Sequence, residues 1–218
     1  MCILRFAGAS YVTLYVGADK VPFQVHETVL CDRSSVFRAA FNSEFKESSE
    51  GPMDLPDEDP ELFEHFVASL YNLKFDHTMF GLPDWDGENG FVMQTARVFV
   101  LADQFDVESL KFDICLDLFD FVSNESDEDD KLEPPSLPVV QFICANTNHK
   151  APIRILLADL FTQTGLGLWP TEDGSPTDWL YSVPEFGVDL ALALEHKMRG
   201  RRGQIVFEWN KSKYLERL

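Results

Sequence analysis

The sequence predicts an α+β fold in which a small β-sheet, opened by a hairpin, is followed by a cluster of helices and then by a further helical region. Three observations predict it. Residues 11–16 and 21–25 alternate apolar and polar side chains, which is the period of a half-buried strand. From Glu27 onward most apolar positions recur with the period of a helix. Asp59, Pro60 and Glu61 then open an amphipathic stripe with the residues a helix N-terminus favours. With 218 residues, 45% of them hydrophobic and 13% aromatic, the chain can build a substantial core, which excludes disorder as its overall state.

In the first strand Val12, Leu14 and Val16 share a face; Gly17, Ala18, Asp19 and Lys20 supply a turn; and Val21, Phe23 and Val25 form the inward face of the second strand. Pro22 has no N–H, so this strand belongs at a sheet edge or keeps that nitrogen out of the ladder. Val29, Leu30, Val36, Phe37, Ala40 and Phe41 fit one or two short helices, restarting where Ser34 or Ser35 serves as N-cap. Met53 to Leu55, between two prolines, is a short strand candidate. Leu62, Phe63, Phe66, Val67, Leu70 and Tyr71 make the stripe of the helix capped by Asp59.

Residues 74–90, with Gly81, Pro83, Gly87 and Gly90, read as a long loop. Asp84, Asp86 and Glu88 begin like a calcium loop, but Asn89 stands where that loop needs glycine and Thr95 where it needs a bidentate Glu, so no metal is expected. Helices follow at 91–104 and 107–122, the second capped by Asp106, with Val107, Leu110, Ile114, Leu118 and Val122 inward. An acidic run and two prolines form a linker, and helices are expected near 136–145, 152–164 and 184–199, the last with Gly200 as C-cap. The domain reading is therefore a first domain at 10–122, an acidic and proline-containing linker at 123–135, and a helical C-terminal region at 136–218.

The formal net charge is −19. Residues 1–131 hold 9 Lys/Arg and 27 Asp/Glu, whereas residues 132–218 hold 9 and 10, so nearly all of the excess lies in the first part. This argues against a sequence-independent grip on nucleic acid and against an anionic membrane surface, and it favours basic partners. The basic stretch from Lys197 to Arg202 reads as a solvated helix C-terminus rather than an import signal.

Cys2, Cys31, Cys115 and Cys144 form no C-x-x-C pair, and Cys31 and Cys115 sit in apolar helical stretches, so free thiols in a reducing compartment are expected. Neither a secretory leader, a membrane-length apolar run nor a lipid-anchor signature is visible, which places the chain in the cytoplasm, the nucleus or both. No nucleophile elbow, P-loop, dinucleotide fingerprint or zinc-protease motif is present, and the five histidines are dispersed. No catalytic residue and no cofactor are nominated, and an enzyme is not expected.

The ordered set of hairpin, His26-Glu-Thr-Val-Leu30, Ser34-Ser-Val-Phe37, Phe41, Phe45-Lys46-Glu47, Leu55 to Pro60, and Phe63 through Tyr71 resembles the BTB/POZ domain. Leu101-Ala-Asp-Gln-Phe-Asp-Val-Glu-Ser-Leu-Lys111 is similar to that family's later helix pair. The likeness covers about residues 10–122 and looks most like the stand-alone BTB proteins of filamentous fungi. It implies a helical cluster flanked by a small sheet and an interaction module rather than an enzyme. Two roles stay open: a substrate adaptor that brings a substrate protein to a cullin-based ubiquitin ligase, or a self-associating scaffold or nuclear regulatory protein without a ligase role. The adaptor subset carries a hydrophobic-x-Glu motif after its second helix, and that motif falls on Phe45 and Glu47 here. Tyr71 is a second candidate partner contact, set against its place in the core stripe. Tyr11 and Glu27 stand where transcription-factor members keep an Asp and a cation near their dimer seam, so that charged pocket is not expected and a homodimer is left open. With no zinc-finger, kelch or MATH-like segment, the resemblance leaves the helical C-terminal region as the candidate substrate reader.

Overall fold

A computed structural model describes residues 10–42, 52–71, 75, 90–124, 135–164 and 182–201. These contain three strands and eight helices: β1 (Tyr11–Val16), β2 (Val21–His26), α1 (Glu27–Arg33), α2 (Ser35–Asn42), β3 (Met53–Leu55), α3 (Pro60–Tyr71), α4 (Phe91–Gln104), α5 (Glu108–Asn124), α6 (Leu137–Asn146), α7 (Pro152–Thr164) and α8 (Pro184–Arg201). Most of the expected loop at 74–90 and most of the acidic linker lie outside the described residues. The chain forms two compact units. One runs up to Phe75 and takes in Leu101–Leu110; the other comprises Asp76–Val100 and the chain from Lys111 onward.

In the first unit the strands form one sheet in the order β2-β1-β3. β1 pairs antiparallel with β2, Leu14 opposite Phe23, and parallel with β3, Val16 opposite Leu55. Being central, β1 buries Leu14 and Val16 completely. β2 is an edge, which is where a strand tolerates Pro22. Its inward face is realised at Val25 and partly at Phe23, while Val21 at the strand's start is exposed. The turn after β1 depends on Gly17. Its φ of +75° suits glycine, its N–H donates to the Leu55 carbonyl at 2.9 Å, and a Cβ there would meet Pro60 Cγ at 3.0 Å.

α1 and α2 are separated by a single buried residue, Ser34. Its hydroxyl accepts from the Phe37 N–H at 3.0 Å, the N-cap bond to the third residue of α2, and donates to the Phe105 carbonyl at 2.5 Å. Asp59 caps α3 as expected, its Oδ1 accepting from the Leu62 N–H at 3.0 Å. α3 buries Phe63, Phe66 and Leu70. The Phe105 ring packs near Phe37, Phe66 and Phe63, with centroids 4.8, 5.4 and 6.2 Å away, so four aromatics make the centre of this core.

Asp106 does not cap α5, contrary to expectation. It closes α4 in the left-handed conformation at φ 52°, with its N–H on the Asp103 carbonyl at 3.2 Å and the Val107 N–H on the Ala102 carbonyl at 2.7 Å. This is a Schellman ending, and it satisfies two carbonyls that the helix end would otherwise orphan. The Asp106 carboxylate instead accepts from the Ser35 hydroxyl.

In the second unit α5 buries Ile114, Cys115, Leu118 and Phe119, and α7 packs along α8 with α6 against both. Phe161 of α7 meets Phe186 of α8 edge-on at 5.1 Å. A buried ion pair joins the same two helices: Arg154 Nε donates to Asp189 Oδ2 at 2.7 Å. Lys197 donates to the Thr162 carbonyl at 2.5 Å, so one cation of the basic stretch closes a carbonyl in the last turn of α7. α8 continues to Arg201, which puts Gly200 inside its last turn rather than beyond it as the C-cap.

Ser34→Ala strips a buried carbonyl and a helix N-terminus of their partner together and is expected to cost about 2 kcal/mol. Ser35→Ala loses only an exposed bond and should cost roughly 0.5 kcal/mol. Urea unfolding of the two variants measures both, and equal losses would contradict the assignment of Ser34 as the internal joint.

Candidate functional site

Of the residues nominated from sequence, Tyr71 is described, whereas Phe45 and Glu47 lie outside the described residues. Tyr71 ends α3 and is partly buried. Its hydroxyl reaches the point where β2 passes into α1, accepting from the His26 backbone N–H at 2.9 Å and lying 2.7 Å from His26 Nδ1. A hydroxyl has one hydrogen, and with that hydrogen directed at an unprotonated Nδ1 it remains free to accept from the backbone. The His26 N–H is one of the donors that the start of α1 leaves without an intrahelical acceptor, so the phenol acts as a cap supplied from a distant helix.

Tyr11 packs on the same imidazole, its ring centroid 4.3 Å from that of His26 and tilted by 40°. It is 61% exposed. Where the resemblance places a charged pocket, this chain therefore has Tyr11, His26 and Tyr71 in contact, with the Glu27 N–H donating to the Ser10 carbonyl at 3.0 Å beside them. The cluster offers an exposed aromatic ring beside an imidazole that the Tyr71 hydroxyl holds, a surface suited to apolar or aromatic contact. Sequence reasoning assigned Tyr71 correctly to its helix stripe but not to His26, 45 positions earlier. A buried aromatic whose hydroxyl needs a partner was the available signal.

The thiols of the described residues are not activated nucleophiles. Burial raises the Cys115 thiol and lifts that of Cys144 to about 11, against an ordinary 9.0, and burial followed by the charge of Glu27 raises Cys31. All three are free cysteines, Cys31 the least buried. Among the described residues no group of three or more His, Cys, Asp or Glu is placed to hold a metal ion. No described helix is long and apolar enough to cross a membrane.

Comparison with known proteins adds two findings. The family model for the BTB/POZ domain matches residues 8–116, half of the chain. A stretch of 55 residues is 38% identical to TD and POZ domain-containing protein 3 of Mus musculus; it covers 25% of this chain and 15% of that relative. The matched family segment takes in the whole sheet, α1 to α4 and the first part of α5.

Two outcomes follow from the site geometry. Tyr71→Phe keeps the ring and removes the hydroxyl, and it is expected to lower stability by about 1–2 kcal/mol in urea unfolding. Because the Cys144 thiol stays neutral in the fold while it ionises near 9 in the unfolded chain, its contribution is present below that pH and is lost as pH rises toward 11. Between pH 8 and 10.5 the wild type should therefore lose about 1–2 kcal/mol more stability than Cys144→Ala, and parallel pH profiles would show that the thiol is not so held.

Proposed function

The chain belongs to the BTB/POZ domain family, and from that premise we propose that this protein–protein interaction module serves as a substrate adaptor for a cullin-based ubiquitin ligase. The observation that carries the reading is the family match across residues 8–116, together with the hydrophobic-x-Glu sequence that follows α2. α2 ends at Asn42, and Phe45 and Glu47 come directly after it, which is the place the adaptor motif occupies in the family resemblance. An apolar anchor next to a carboxylate has the form of a small hot spot, the ring supplying affinity and the charge fixing register.

In this reading Phe45 and Glu47 contact cullin, Tyr71 borders the same partner surface, and the helices of the second unit receive the substrate protein. The module acts in the cytoplasm or nucleus, and its surface charge favours a basic partner over an acidic one. The second reading, a self-associating scaffold or nuclear regulatory protein without a ligase role, is favoured by the exposed Tyr11 at the start of the central strand β1 and the exposed Val21 on the edge strand β2, where a second copy could dock. Sedimentation separates the two. A scaffold assembles whether or not cullin is added, whereas an adaptor gains mass with cullin.

Phe45→Ala is expected to weaken cullin binding by about 2 kcal/mol, roughly thirtyfold in Kd, with a nearly unchanged urea midpoint. Purified cullin retained equally by wild type and variant removes Phe45 from the interface. No retention by the wild type removes the adaptor role.

A further inference from the structure

We infer that both edges of the sheet are closed to an added strand, and that the Tyr71 hydroxyl closes β2 at the position where no proline does. Among the described residues β2 and β3 are those edges. The ladder decides which backbone groups of β2 face outward. Glu27 stands opposite Ser10 in the register that pairs Tyr11 with His26, and its N–H donates to the Ser10 carbonyl. Bonded positions alternate along an antiparallel pair, so residues 21, 23 and 25 face β1, while 22, 24 and 26 turn their backbone groups away from it. Pro22 has no N–H, and the His26 N–H donates to the Tyr71 hydroxyl at 2.9 Å. Gln24 is thus the one outward position of β2 that offers a further strand its N–H.

β3 ends in the same condition by a different route. The Gly17 N–H donates to the Leu55 carbonyl, in the parallel register that pairs Val16 with Leu55, so residues 53 and 55 face β1 and 52, 54 and 56 face outward. Pro52 and Pro56 have no N–H, and between them stands Asp54, whose carboxylate accepts from the Lys20 ammonium at 2.8 Å. Pro22, Gln24, Pro52, Asp54 and Pro56 are all exposed, so burial does not protect these edges and the missing donors do. A second copy pairing antiparallel through β3 about Asp54 would also set like charges directly opposite. His26 is the N-cap of α1 and carries the ring on which Tyr11 packs, so at this position the donor is occupied by a partner rather than removed. Other molecules therefore reach this sheet through side chains and not by extending it. That holds for an adaptor and for a scaffold alike, so cullin retention does not bear on it.

The test measures amide hydrogen exchange and strand capture on the full chain. Tyr71→Phe should speed exchange at the His26 amide by at least about tenfold relative to the Val25 and Glu27 amides, which face β1. The probe for capture is a labelled peptide that repeats Tyr11–Val16 between lysines, titrated by fluorescence anisotropy. Its control carries the same side chains but is N-methylated at the two central residues, which removes a donor from each of its own edges. The wild type should not distinguish the two peptides. Pro22→Val with Tyr71→Phe gives β2 donors at 22 and 26 beside Gln24, and should favour the unmodified peptide by at least about tenfold. If that double variant has no thermal unfolding transition, Pro22→Val alone, with donors at 22 and 24, carries the peptide comparison under the same criterion. A preference by the wild type overturns the inference, and so does a folded Pro22 variant without one. Unaccelerated exchange at His26 in Tyr71→Phe overturns the role of the hydroxyl.

Discussion

The first unit depends on what happens to one buried carbonyl. Phe105 follows the last residue of α4, and its carbonyl has no acceptor role within that helix. Left bare in an aromatic core it would cost as much as several favourable contacts return. Ser34 donates to it and at the same time accepts from the N-terminus of α2, so one hydroxyl closes the ends of two helices that are 71 positions apart in the chain. The arrangement fixes where the Phe105 ring lies, and the ring in turn sets the packing of Phe37, Phe63 and Phe66. Gly17 acts similarly on the sheet side, where its bond to the Leu55 carbonyl and its closeness to Pro60 tie the β1 turn to the start of α3.

What was legible in the sequence was what repeats locally. The hairpin, the stripe from Leu62 to Tyr71 and the Asp59 cap each need only a few neighbouring residues to be recognised, and each is present. Two serines were equally good N-caps on paper; burial chose Ser34, because only that hydroxyl also had a distant carbonyl to serve. Asp106 was misassigned for a related reason. An Asp just before a helix is read as its N-cap, whereas a left-handed residue closing the preceding helix is recognised from sequence chiefly when it is glycine. The Tyr71 bond to His26 joins elements 45 positions apart and leaves no local trace. Phe45 and Glu47 were nominated through family likeness rather than through periodicity, and they lie outside the described residues.

Charge is used differently in the two parts of the chain. In the acidic first part, Glu27, Glu61 and Glu108 lie in the first turns of α1, α3 and α5, where the helix dipole favours them. Its Lys20–Asp54 pair, at 2.8 Å, is solvated on both sides and contributes little to stability. In the second unit the Arg154–Asp189 pair is buried between two helices and orients them, because removing either partner would leave a charge without its counterion. The near-neutral part thus uses a buried charge pair to fix helix positions, while the described residues of the acidic part carry most of their charge at or near the surface.

That division bears on how partners are chosen. Long-range attraction selects which molecules approach and fades with ionic strength over about 10 Å, while apolar contact governs how long they stay. In the proposed reading, Phe45 with Glu47 pairs an aromatic anchor with a carboxylate. An acidic partner is turned away by the carboxylates, and a basic but polar one is attracted without being retained. In that reading only a partner that offers cationic and apolar groups in register satisfies the anchor, so specificity arises from the spacing between the two kinds of contact rather than from the strength of either.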